Sequence, residues 1–201
     1  IYNFGVGYSQ SSAGIFEVAE LMNIPGNVTN GSRNLAHGDI PAAPYSGVIA
    51  AGTLIGQPLP AGTDAWLEAP QVTIPNPILG FNVTLVHWEH FDAGDGAWME
   101  YRLDGGAWNW LEPAGGYPDE IDTSAPVPTG APSSGSGFPV WGSDVATGWQ
   151  ISNFELDDLE DASNLNITHA STLDLRVRVW TTPTSPGAPG FFFDDLEIEN
   201  I

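Results

Sequence analysis

The chain has 201 residues, no cysteine, no lysine and only four basic residues against 25 Asp and Glu, for a formal net charge of −21. This excludes disulfides, thiol nucleophiles and Schiff-base chemistry, and it argues against nucleic acid as a partner, which needs a basic face. No stretch approaches the roughly 20 apolar residues of a membrane helix, and 24 Gly and 17 Pro set between short apolar runs read as many strands joined by turns in a single domain, residues 1–201.

In chain order, Tyr2, Phe4, Val6 and Tyr8 alternate with Asn3, Gly5 and Gly7, the period of a strand. Residues 15–18 are a second strand candidate. Residues 23–64 are rich in Asn, Gly, Pro and Ala, with one apolar piece at 47–52. Residues 64–74 read as a strand closed by Pro75 and Pro77. Phe81, Val83 and Leu85 alternate with Asn82 and Thr84. Asp92, Gly94, Asp95 and Gly96 then break the run with turn chemistry. Trp98, Glu100 and Arg102 alternate with Met99, Tyr101 and Leu103, and Asp104-Gly105-Gly106 supplies the residues a tight hairpin needs for positive φ. Residues 81–106 therefore read as the central hairpin of a β-sandwich, with 108–111 on its return side.

Residues 112–148 are irregular and rich in Pro and Gly, and a connection that long in a compact domain is functional or packed as a lid. Residues 149–156 are a strand candidate and 157–163 a short helical turn. Residues 173–180 form the clearest strand: Leu173, Leu175, Val177 and Val179 point one way, and Asp174, Arg176, Arg178 and Trp180 the other. Residues 190–201 are the closing strand.

Seven pieces occur in a familiar order: Trp66-Leu-Glu-Ala-Pro, Val86-His-Trp-Glu-His-Phe-Asp, Leu103-Asp-Gly-Gly-Ala-Trp, Pro113-Ala-Gly-Gly-Tyr-Pro, Gly148-Trp-Gln, Leu175-Arg-Val-Arg-Val and Gly190-Phe-Phe-Phe-Asp-Asp-Leu. Together, over about residues 60–200, they resemble the MAM-like jelly-roll module that accompanies immune inhibitor A-type secreted metalloproteases and some secreted subtilases. The resemblance implies an all-β, two-sheet antiparallel jelly-roll β-sandwich with long loops, extracellular or cell-surface life, and often structural calcium. It implies no catalysis, and fold does not decide function. Asn3-Phe4-Gly5 departs from the Asp-Phe-Glu with which family members usually begin.

Calcium takes 6–8 oxygen ligands. Asp194 and Asp195, at the start of the closing strand, are the family-like candidates, with Asp64 and Asp39 as partners from the N-terminal half. Asp92 and Asp95 form a second acidic loop. His87 and Glu89 share a strand face and His90 takes the other, so this group does not form a histidine metal site. Glu89 and Glu100 could sit on facing strands as a glycosidase-like pair. Gly-x-Ser-x-Gly is absent, and no catalytic residue is assigned. Trp98, Trp108, Trp110, Trp141 and Trp149 are candidates for a sugar-stacking face or for filling the core. Asn27, Asn30, Asn82 and Asn166 stand in glycosylation sequons.

The expectation is a non-catalytic extracellular module for surface adhesion or assembly, with calcium as candidate cofactor. Its partners would be copies of itself or a surface protein or glycan. One alternative is a filament subunit in which Tyr2, Phe4, Val6 and Tyr8 form a donor strand added to a neighbour's sheet edge; pairing of residues 1–8 with the chain's own closing strand is the favoured reading of that strand. The other alternative is a glycan-binding accessory module of a secreted hydrolase.

Overall fold

The computed structural model describes residues 9–10, 15–19, 27–30, 33–36, 45–46, 50–54, 58–78, 80–121, 125–132, 137–142, 148–185 and 187–200. Two antiparallel sheets face each other. Sheet one runs β1 (Ser9–Gln10), β6 (Asp64–Glu68), β14 (Thr172–Trp180), β9 (Gly96–Leu103), β10 (Asn109–Leu111), with the short β7 (Val72–Thr73) also on β14. Sheet two runs β13 (Gln150–Glu155), β8 (Phe81–His90), β15 (Gly190–Asn200), β5 (Ala50–Thr53), β2 (Phe16–Ala19). Two small ribbons pair β3 (Asn27–Asn30) with β4 (Arg33–Ala36), and β11 (Asp119–Glu120) with β12 (Pro139–Val140).

The winding is that of a jelly roll. Among β5, β6, β8, β9, β10, β13, β14 and β15, the first pairs with the last, the second with the second-last, and so on inward to the β9–β10 hairpin. A long antiparallel ribbon has been folded over so that alternate segments fall in opposite sheets. The hairpin turn at its tip is the one expected: Asp104 and Gly105 have φ of 47° and 72°, and Asp104 Oδ1 accepts the backbone N–H groups of Ser171 and Thr172.

Residues 81–106 are not one hairpin. β8 lies in sheet two and β9 in sheet one, so residues 91–95 arch from one sheet to the other. Alternation followed by turn residues is the same local pattern for a hairpin and for an arch; the sheet that the next strand joins depends on what its apolar side meets. The arch is pinned by Asp95, whose carboxylate accepts the backbone N–H of Thr182 at 2.7 Å and the hydroxyl of Ser185 at 2.6 Å. Burial pushes the Asp95 carboxyl above its ordinary range despite those bonds. The Asp95 oxygens of the second acidic loop thus hold the arch to the β14–β15 connection.

The inward faces follow the alternation. Phe81, Val83 and Leu85 meet Met99, Tyr101 and Leu103, and Leu173, Leu175, Val177 and Val179 meet Phe191, Phe193 and Leu196, in one continuous apolar core. Truncating one of these phenylalanines costs about 3–5 kcal/mol. A β-bulge in β15 between Asp194 and Leu196, with Asp195 at φ 35°, shifts the phase so that Phe191 and Phe193 and then Leu196 face the core. Residues 157–163 form turns rather than the expected helical piece; the 3-10 turn comes later, at Ile167–His169, capped by the Asn166 side chain. β15 has β8 on one side and β5 on the other. The expected strand at Tyr2, Phe4, Val6 and Tyr8 lies outside the described residues.

Candidate functional site

The outward face of sheet one carries the chemistry. Period-2 alternation sends Asp174, Arg176 and Arg178 out from β14, Asp64, Trp66 and Glu68 from β6, Trp98, Glu100 and Arg102 from β9, and Trp110 from β10. Register then places Arg176 between Glu68 and Glu100, Arg178 between Trp66 and Trp98, and Asp174 beside Arg102. Three of the chain's four arginines thus stand on one face.

Each is held by carboxylates and stacked on indole. Arg102 donates to Asp174 at 2.8 Å and to Glu68 at 2.9 Å. Arg178 makes a two-pronged contact with Asp64, both bonds at 2.8 Å. Arg176 pairs with Glu100, which also accepts the Trp98 indole N–H at 2.8 Å and lies 3.5 Å from Arg178. The Arg176 guanidinium carbon sits 4.0 Å from the Trp108 ring centre and 5.0 Å from that of Trp66. Arg102 lies 4.5 Å from Trp108, and Arg178 5.6 Å from Trp98. Such contacts stabilise by about 0.5–2 kcal/mol each.

Glu100 is 0 % exposed. A carboxylate so buried is tolerable only because two guanidinium groups and an indole N–H surround it. Burial pulls Arg176 below its ordinary value, with Glu100 pulling back. On Arg178 burial acts in the same direction, but the hydrogen bonds to Asp64 and the nearby carboxylates outweigh it and hold the group above its ordinary value.

The long connection after β10 covers one end of this face. Ile121, Ala125, Phe138 and Val140 pack on Trp98 and Trp180, with Phe138 edge-on to Trp98 at 4.9 Å. Tyr117 anchors the connection: its hydroxyl donates to Leu111 and accepts the Met99 N–H, and burial raises its pKa well above the ordinary value. The lid expected for residues 112–148 is thus present at the Trp98–Trp180 end. Away from the lid, Trp66, Trp108, Arg102 and Glu68 are half-buried, and Asp64, level with Trp180 on β6, is exposed.

Of the five tryptophans proposed for stacking, Trp108 lies on this open part, whereas Trp110 packs on the lid cluster, 5.5 Å from the Tyr117 ring. Trp98 is beneath the lid. Trp141 fills the inter-sheet core against Phe191 and Phe154. Trp149 is edge-on to Trp88 in a separate apolar cluster with Ala50 and Phe192. Trp66 was missed. Its phase relative to Glu68 was readable, but its closeness to Arg176 depends on the β6–β14 register.

The acids do not converge. Asp64 is on sheet one, bound to Arg178. Asp194 is on sheet two, nearly buried, accepting the N–H groups of Ser46 and Asp195 at 2.9 Å each; burial pushes its carboxyl up. Asp39 lies outside the described residues. Asp64 and Asp194 thus stand on different sheets, and among the described residues no three His, Asp or Glu are grouped to hold an ion. Glu89 and Glu100 do not face each other either: Glu89 points into the sandwich from sheet two, and Glu100 points outward from sheet one. Asn27 and Asn30 lie on β3, Asn82 is half-buried on β8, and Asn166 caps the 3-10 turn.

His87 and Glu89 share an inward face, as expected. His87 Nδ1 is 2.8 Å from Glu89 Oε2, its Nε2 is 2.9 Å from the Ser152 hydroxyl, and the ring packs on Trp141 and Phe191. The atoms follow the order of an acyl-transfer relay. Order alone is not a catalytic site, which also needs donors aimed at the developing oxyanion. Here the bonds fasten the edge strand β13 to β8.

No protein-family model and no curated protein matches the chain. A solved structure of TmCBM61 in complex with beta-1,4-galactotriose is similar at a TM-score of 0.48 and 12% sequence identity, covering 98% of this chain and 90% of that chain. A likeness that distant says nothing of ligand or activity.

Proposed function

We propose that this domain is a non-catalytic glycan-binding module whose site is the open part of the outward face of sheet one. The observation that supports this reading is the Arg176 guanidinium stacked with both Trp66 and Trp108, beside half-exposed Glu68 and Arg102. A sugar ring has C–H faces that pack on indole and hydroxyl edges that need paired donors and acceptors. Alternating indole, guanidinium and carboxylate on a rigid sheet meets both needs. Adhesion then follows as attachment of the chain, outside the cell, to surface or matrix polysaccharide. The filament alternative depends on residues 1–8, so it draws no support from the described part of the fold.

The test is affinity electrophoresis of wild type, Trp66→Ala and Trp108→Ala through gels containing soluble polysaccharides. Wild type is expected to be retarded by at least one polymer, and each variant to lose at least tenfold in affinity while keeping its circular dichroism spectrum. Equal retardation of wild type and both variants would sink the proposal.

A further inference from the structure

We infer that the glycan is an uncharged polysaccharide rather than a uronate-containing or sulfated one; this rests on the glycan-binding reading above and concerns the same face. The inference starts from charge. Arg102, Arg176 and Arg178 are the positive groups of the face, and each is already paired: with Asp174 and Glu68, with Glu100, and with Asp64, respectively. Four carboxylates therefore answer three guanidinium groups, on a chain whose formal net charge is −21.

An anionic sugar has two ways to reach a guanidinium. It can displace the resident carboxylate, or it can bind beside it. Displacing Glu100, which is 0 % exposed, or Asp174, which is 2 % exposed, would strand a buried carboxylate, which is strongly disfavoured, and displacing half-buried Glu68 or exposed Asp64 would leave the freed charge beside the incoming anion. Asp174 is further held by Gln71 at 3.0 Å. Binding alongside would place like charge against Glu68 and Asp64 within a few ångströms, in the field of an acidic protein. A neutral hydroxyl meets neither obstacle. It can donate to Glu68 or Asp64 and accept from an arginine N–H while leaving every ion pair in place. The indoles of Trp66 and Trp108 then take the C–H face of the ring.

This predicts affinity that is insensitive to salt, because no counterions are released. The experiment is isothermal titration of the whole chain with two sets of polymers at low salt and at about 0.5 M NaCl, where charge interactions are screened within a few ångströms. The uncharged set is galactan, xylan and mixed-linkage glucan. The acidic set is polygalacturonate and chondroitin sulfate. Binding to an uncharged polymer, changing less than twofold with salt and lost in Trp66→Ala, is the expected result. Acidic polymers bound in preference, weakened by salt and still dependent on Trp66, would overturn the inference and leave the glycan-binding site intact. Binding to no polymer of either set would overturn the glycan reading and the inference with it. The double variant Asp64→Asn/Glu68→Gln, which removes two negative charges from the rim, is expected to gain affinity for the acidic set; no gain would count against the charge argument.

Discussion

The two outward faces of the sandwich solve one problem differently. On sheet two, Phe192 lies flat over Gly52 and clusters with Ala50, Trp88 and Trp149. On sheet one, the face is built from paired charges and stacked indoles around Glu100. Both bury surface. An apolar cluster offers a polar ligand nothing to bond, whereas a charge-paired face keeps spare donors and acceptors within reach of solvent. A sheet can thus be stable on its second face and still present a site there, provided each buried charge is compensated.

The sharpest way to break that contrast is Glu100→Ala. It leaves Arg176 half-stranded beneath Trp108 and removes the acceptor of the Trp98 N–H, at an expected cost of about 3–5 kcal/mol, read from chemical denaturation. A loss below about 1 kcal/mol would show that the charge pairing is not what supports the face. On the apolar side, Gly52→Ala puts a Cβ 2.4 Å from the Phe192 ring. The expected cost is about 1–3 kcal/mol, with glycan binding unchanged because the two faces are independent. A coupled loss of binding would refute that independence.

Between the faces, Ser152→Ala removes one hydrogen bond from His87. It should cost about 1 kcal/mol and, if the relay only fastens an edge strand, leave hydrolysis of p-nitrophenyl acetate at the background rate in both proteins. Ser152-dependent turnover would contradict the non-catalytic reading.

The smallest effects are in pH dependence. The N–H groups of Ser171 and Thr172 hold the Asp104 carboxyl below its ordinary range. Its contribution is therefore present at neutral pH and lost as pH falls through the folded value. Burial holds Asp95 above its ordinary range, so ionising it as pH rises through the folded value costs stability. The stability advantage of wild type over Asp104→Asn should grow with rising pH, and that over Asp95→Asn should shrink. Parallel trends in denaturation curves across the acid range would show that one of the two environments has been misread.

Much of this was legible in the residues. The alternation of Leu173, Leu175, Val177 and Val179 against Asp174, Arg176, Arg178 and Trp180 specifies which side of β14 is core, because side chains of a strand point alternately to its two faces. Asp104 and Gly105 specify the β9–β10 turn, because few residues accept positive φ. The pairing of His87 with Glu89 follows from the same two-residue period. These are local matters, settled within a few residues by backbone geometry.

The site was not legible in the same way. Trp66 and Arg176 are far apart in sequence and meet through the β6–β14 register; Trp98 and Trp108, equally plausible as letters, are parted by a lid that covers one and not the other. The step from β8 to β9 is an arch because the apolar sides of those strands bury against each other across the sandwich, and nothing in residues 91–95 states which sheet comes next. Strand period and turns belong to the chain as read, since they arise from steric limits on neighbouring residues. The register, the choice of sheet and the company each tryptophan keeps were decided only when distant apolar surfaces were buried together, and it is that burial which set three arginines among indoles on one open face.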